Sequence, residues 1–289
     1  MIIGGSKKAV IDNIKTNLAN GEYNKKVEIN DPQITEEEIL AILNKFFRRK
    51  EKKLSYYLRN KMARLMIKKL SIHLNRNIEI EGLENLDGLD LSKGAFITCN
   101  HFNPLDSFIP RKIVEKILDE KMYIVIQDTN VAMEGNLGYL MNNLDTIPIN
   151  KSPNYINKIF IPELKKVFEK GHVVLIYPEE EMWFNYRKPR PCKRGTYQFA
   201  SLLEVPIISL FTEMIDLDEP DNDEFNQVKY KVHILKPLYC EPTKSLKDNS
   251  IALANQDYEQ KKQAYEKAYG KKLTYDFDYQ DIAGWKKIS

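Results

Sequence analysis

The 289-residue chain is poor in the residues that usually advertise chemistry, with three cysteines, four histidines and two tryptophans. Cys99, Cys192 and Cys240 lie far apart with no metal-type spacing, which argues against a disulfide framework and for a reducing compartment. The histidines supply no HxH or HExxH pair, so a metal-dependent hydrolase would have to assemble His101, Asp106, His172 and Glu179 from separate segments, and no metal is expected. No stretch approaches the roughly 18 to 20 apolar residues that span a bilayer. Met1 to Gly5 lacks the basic start and apolar core of a signal peptide. The expectation is a cytoplasmic protein whose membrane contact is peripheral, on the inner face. Internal repeats and low-complexity linkers are also missing.

What is present is unevenly charged. The net charge is +3, yet residues 41–80 hold twelve Lys or Arg against two Glu, so this one segment carries the basic excess. Thr35-Glu36-Glu37-Glu38 reads as a capping box, followed by Ile39, Ile42, Leu43, Phe46 and Phe47 at helical spacing. A second amphipathic pattern runs through Leu54, Tyr57, Leu58, Met62, Leu65, Met66 and Leu70, with cations around it. Two such helices suit an anionic membrane surface. They also fit scaffold helices with a solvated face, or phosphate contacts to nucleic acid. No DNA or RNA module accompanies them, and no nucleic-acid partner is expected.

The sharpest local signal is Asn100-His101-Phe102-Asn103-Pro104-Leu105-Asp106, an NHxxxxD pattern directly after the apolar run Ala95 to Cys99. The run reads as a buried strand, and Pro104 suits the first turn of a following helix. A histidine at that corner reaches substrate. A carboxylate five residues on can accept its Nδ1–H and stabilise the imidazolium formed when the other nitrogen takes a proton. If the attacking hydroxyl belongs to a second substrate, no serine or cysteine nucleophile is required.

A second segment, Gly171 to Glu179, is an apolar strand ending in Tyr177-Pro178-Glu179; Lys193-Arg194-Gly195 and then Val205-Pro206-Ile207-Ile208 follow it. Together with NHxxxxD and Ile149-Asn150-Lys151, these blocks resemble, in order, the glycerolipid acyltransferase family typified by lysophosphatidic acid acyltransferase, over roughly residues 77 to 240. The resemblance implies transfer of a fatty acyl group from an activated donor to a hydroxyl of a glycerolipid, lysophosphatidate to phosphatidate, with His101 as general base and Asp106 as its orienting carboxylate. It implies no cofactor beyond the co-substrate, which is acyl-CoA, acyl-carrier protein or acyl phosphate. Asn100, Glu179, Lys151 and the basic loop Arg187, Lys188, Arg190, Lys193 and Arg194 would hold the lysophospholipid acceptor. Gly195, at a helix entry, would allow close backbone approach and offer N–H groups to an anion. The family's Gly-Thr-Arg is replaced by Glu180-Glu181-Met182, and an arginine by Lys151, so the usual bidentate phosphate clamp is altered. A basic loop that is merely solvated fits the same residues, and so does a catalytically silent lipid-binding protein.

The coarse order between Asn77 and Leu210 alternates strands and helices, which predicts an α/β fold: a mostly parallel mixed sheet covered by helices on both faces, with an N-terminal amphipathic helical segment. The expected layout is an N-terminal extension (1–34), basic amphipathic helices (35–76), an acyltransferase domain (77–240) and a C-terminal helix and tail (241–289). Glu213 to Glu224, with seven acidic and no basic residues, reads as a solvated loop. Asn226 to Leu238 reads as an edge strand, and Tyr275 to Tyr279 alternates like a strand.

Overall fold

A computed structural model describes residues 6–29, 34–74 and 78–286, with the side chains of 71–74 excepted. Asn77, where the first strand was expected to begin, lies outside them. Among the described residues seven strands form one sheet: β1 (Glu79–Glu81), β2 (Ala95–Thr98), β3 (Met122–Gln127), β4 (Thr146–Ile149), β5 (Val173–Ile176), β6 (Ile207–Pro220) and β7 (Asn226–Ile234). Their order is β1-β7-β6-β2-β5-β3-β4. Five of the six pairings are parallel and only β6 with β7 is antiparallel, so the sheet is the mixed, mostly parallel one predicted. β2 and β5 are buried at every residue. Continuous apolar strands are buried in this way when both faces of a sheet are covered.

The helices are α1 (Lys8–Ala19), α2 (Glu36–Glu51), α3 (Lys53–Leu74), α4 (Phe108–Lys116), α5 (Gly135–Asn143), α6 (Pro153–Tyr155), α7 (Ile161–Phe168), α8 (Gly195–Leu203) and α9 (Leu246–Tyr269). A π-helical turn, Ile156–Phe160, joins α6 to α7. At the start of α2 the Thr35 hydroxyl accepts the Glu38 N–H while the Glu38 carboxylate accepts the Thr35 N–H, the reciprocal cap read from sequence. The two basic helices then part company. The apolar stripe of α2 faces the core, where Leu43 and Phe46 are buried. On α3, Leu54, Tyr57, Leu58, Met62 and Leu65 are exposed.

Several stretches depart from the sequence reading. The acidic segment belongs to the long β6–β7 hairpin, and β7 is interior because β1 pairs outside it. Residues 275–278 form no strand, and a short 3₁₀ turn, Tyr279–Asp281, follows them. The N-terminal extension is also integrated: Val10, Ile11, Ile14 and Leu18 of α1 pack with Trp183, Phe184, Tyr186, Phe225 and Ile282 in a second core. α1 and the segment around Ile282 thus cover the loop after β5, a joint that no local periodicity announces.

Candidate active site

Register brings the two principal sequence blocks together. β2 pairs in parallel with β5, Thr98 opposite Ile176, so His101 and Glu179 each lie three residues beyond a paired position. Both leave the C-terminal ends of central strands, where open α/β sheets place their ligand sites. The His101 N–H donates to Glu179 Oε2 at 3.2 Å, and the His101 carbonyl accepts the Trp183 N–H at 3.1 Å. Pro104 lies in a turn that precedes α4 rather than in its first turn; the Asn103 side chain closes this turn by accepting the Leu105 N–H.

That turn folds Asp106 back under the histidine. Asp106 Oδ2 stands 2.7 Å from His101 Nδ1 and also accepts the N–H groups of Phe102 and Asn103. An acceptor fixed in this way assigns the proton to Nδ1 and leaves Nε2 as the basic nitrogen. Asp106 is buried, whereas the His101 side chain keeps about a fifth of its surface open. Tyr177 completes the arrangement. Its ring stacks on the imidazole at 3.9 Å between centroids, and its hydroxyl donates to Asp106 Oδ1 at 2.5 Å. Burial, together with the Asp106 charge, pushes the Tyr177 hydroxyl well above its ordinary value, so it remains a neutral donor. Its role was not read from the sequence, where Tyr177 is only the end of an apolar strand. Burial likewise pushes the Cys99 thiol to about 12, which leaves this cysteine inert beside the site.

Most of the residues assigned to the acceptor turn inward. Asn100 is buried, and its amide extends the β2–β6 ladder by accepting the Thr212 N–H and donating to the Thr212 carbonyl. Glu179 is buried against Arg190, whose Nη2 and Nε lie 2.8 and 3.1 Å from Oε2; Oε1 accepts the Arg190 N–H. Arg187 is buried with donors on Asp216 and on the carbonyls of Met214 and Gln280. Lys188 is buried against Asp281 and the Asp276 carbonyl. The expectation that Asn100, Glu179, Arg187, Lys188 and Arg190 grip a head group is therefore corrected. These groups are already satisfied within the fold, because a charge placed inside it is costly unless paired.

The remaining basic residues face outward. Lys193 and Arg194 are exposed with no side-chain partner among the described residues, and the Lys193 N–H donates to the Pro178 carbonyl, next to Tyr177. Gly195 opens α8, and the space where a Cβ would stand is empty. Lys151 is exposed just past β4, three strands from β2, which is about 14 Å at ordinary strand spacing. His172 precedes β5 while Glu179 follows it, so these two stand at opposite ends of one strand and the metal-hydrolase grouping does not form. Among the described residues no His/Cys/Asp/Glu cluster is arranged to hold a metal.

The turn that replaces Gly-Thr-Arg keeps a glycine-like backbone. Glu180 has φ 63°, the left-handed region that glycine enters without steric cost. Beneath β2, on α9, lies a further polar centre with no sequence signature. Asp257 and Lys261 pair at 2.7 Å, and Thr98, Ser209 and Tyr197 donate to the same carboxylate. Burial acts to raise the Asp257 carboxyl, but Lys261 beside it holds it below its ordinary value. This buried network ties α9 to β2 and β6.

A histidine oriented by a buried carboxylate, at the end of a central parallel strand, can take a proton from a hydroxyl that a substrate brings to it. Residues 77–213 match the family model described as Acyltransferase. The fold resembles that of the 1-acyl-sn-glycerophosphate (LPA) acyltransferase PlsC from Thermotoga maritima, with a TM-score of 0.50 and 17% identity over 81% of this chain and 89% of that one. No curated protein shows a sequence match.

Proposed function

We propose that the protein is a glycerolipid O-acyltransferase that acylates lysophosphatidate to phosphatidate. The observation that carries this reading is the 2.7 Å contact between His101 Nδ1 and Asp106, which leaves Nε2 free to act. Nε2 takes the proton of the acceptor hydroxyl as its oxygen attacks the acyl carbonyl carbon; Asp106 stabilises the imidazolium. The tetrahedral intermediate then expels the thiolate or phosphate of the donor, which recovers the proton from Nε2. The donor is acyl-CoA, acyl-carrier protein or acyl phosphate. Lys193, Arg194 and the open α8 N-terminus at Gly195 hold the acceptor phosphate, and Lys151 lies farther along the same end of the sheet. Peripheral docking on the inner face of an anionic membrane uses the exposed stripe and cations of α3. No helix among the described residues is long and apolar enough to cross a membrane.

The test is an acyl-transfer assay over a panel of lysolipids and the three donor classes. Lysophosphatidate should be acylated, and both His101→Ala and Asp106→Asn should lower the rate by about 10²- to 10⁴-fold with circular dichroism unchanged. Near wild-type turnover in His101→Ala rules out the mechanism. A folded wild-type protein that binds lysolipid but transfers nothing with any donor would establish the silent lipid-binding reading instead.

A further inference from the structure

A second cationic site lies where α2 meets α3, outside the His101 centre. The helix axis breaks at Lys52, and the break folds the last turn of α2 toward the first turns of α3. A cavity of about 210 Å³ opens there, lined by Arg49, Lys52, Ser55, Tyr56, Arg59 and Asn143. Its lining holds three cations and no carboxylate. Lys52 and Arg59 have no side-chain partner among the described residues, and the Arg49 Nε is buried without a hydrogen-bond acceptor. Asn143 stands just before the N-terminal end of β4, whereas His101 leaves the C-terminal end of the parallel strand β2. The cavity is thus at the other end of the sheet from the histidine.

We propose that this cavity binds the phosphate of an anionic phospholipid head group. Converging guanidinium and ammonium donors with no internal counter-charge match a phosphate, and a guanidinium presents its N–H groups in the geometry that phosphate oxygens accept. A membrane lipid is favoured over free phosphate by what adjoins the cavity. Leu54 and Leu58, three quarters and more than half exposed, lie on the same first turns of α3 as Tyr56 and Arg59, followed by Met62 and Leu65. A phosphate pocket bordered by an apolar ridge fits a head group whose acyl chains enter the bilayer beside it. The site deepens the docking part of the proposed function and rests on it, giving α3 one defined lipid contact in place of diffuse attraction.

Flotation with phosphatidylcholine vesicles, with and without phosphatidylglycerol, tests the proposal on the full chain. Lys52→Gln/Arg59→Gln should weaken binding to the anionic vesicles about tenfold, from the loss of two phosphate contacts. Arg59→Glu, at an exposed position, should do the same. Lys61→Gln/Lys69→Gln removes equal charge from α3 away from the cavity and should stay within about twofold. Equal losses in the two double variants, no loss in either, or no binding by the wild type overturns the site. Titration with inorganic phosphate separates the sources: phosphate binding that Arg59→Glu abolishes, with vesicle binding unaffected, would assign the cavity to a free phosphate compound and overturn the lipid. Turnover on a soluble short-chain acceptor reads the His101 chemistry independently, and the cavity variants should leave it unchanged.

Discussion

The Tyr177 hydroxyl and the His101 imidazole share one carboxylate: Tyr177 donates to Asp106 Oδ1 while His101 Nδ1 meets Oδ2. The tyrosine ring also lies against the imidazole, nearly parallel to it. Tyr177 therefore positions both members of the pair. Tyr177→Phe keeps the stacking and removes only the donor, and should lower kcat about tenfold with KM within about twofold, since the geometry is disturbed rather than the binding surface. A rise in KM at constant kcat would make Tyr177 a substrate contact instead.

The basic loop should divide into two classes. Lys193→Gln/Arg194→Gln removes exposed cations and should raise the acceptor KM about tenfold, with kcat and thermal stability little changed. Arg187→Met strips donors from the Met214 and Gln280 carbonyls and from Asp216. It should cost about 1 to 3 kcal/mol of stability, discounted because Asp216 is half exposed, without a selective effect on the acceptor. Urea midpoints and steady-state kinetics on both variants check the division.

Glu180→Gly should be tolerated or stabilising. A left-handed non-glycine residue carries about 1 to 2 kcal/mol of strain, and the greater freedom of glycine in the unfolded chain offsets about half of that. The expected gain is about 0.5 to 1 kcal/mol, or roughly 1 to 4 °C in Tm for a chain of this size. A clear loss of stability would show that the Glu180 side chain has a role beyond the turn.

Asp257→Asn should destabilise the fold by about 3 to 5 kcal/mol at neutral pH, because it leaves Lys261 charged and buried without its partner. In the wild type, the lowered Asp257 contributes stability that is present above its unfolded value of about 4 and lost as pH falls through its folded value. Lys261 behaves in the opposite sense: burial acts to lower it, but Asp257 raises it. Its contribution is complete below its unfolded value of about 10.4 and lost as pH rises through the folded one. The pair is thus fully effective between about pH 5 and 10. In the variant, burial favours neutral Lys261, so the deficit should shrink as pH rises toward the unfolded lysine value of about 10.4. A deficit independent of pH would locate the loss in hydrogen bonding to Thr98, Ser209 and Tyr197.

The sequence alone determined whatever depends on neighbours along the chain. The Thr35 cap, the continuous apolar strands β2 and β5, and the helix entry at Gly195 follow from local periodicity and capping chemistry. The histidine with its carboxylate five residues on was equally readable, since one turn suffices to bring them together. Tertiary structure alone decided which charges were available. Arg187 and Arg194 look alike in a basic run, yet Arg187 meets Asp216, 29 residues away, while Arg194 is exposed with no side-chain partner among the described residues. The same holds for the apolar stripes of α2 and α3, one buried and one exposed, and for Asp257, whose partner Thr98 is 159 residues distant. The free energy of a charged or apolar side chain depends on whether water or a partner surrounds it, and for these residues the partners come from distant parts of the chain.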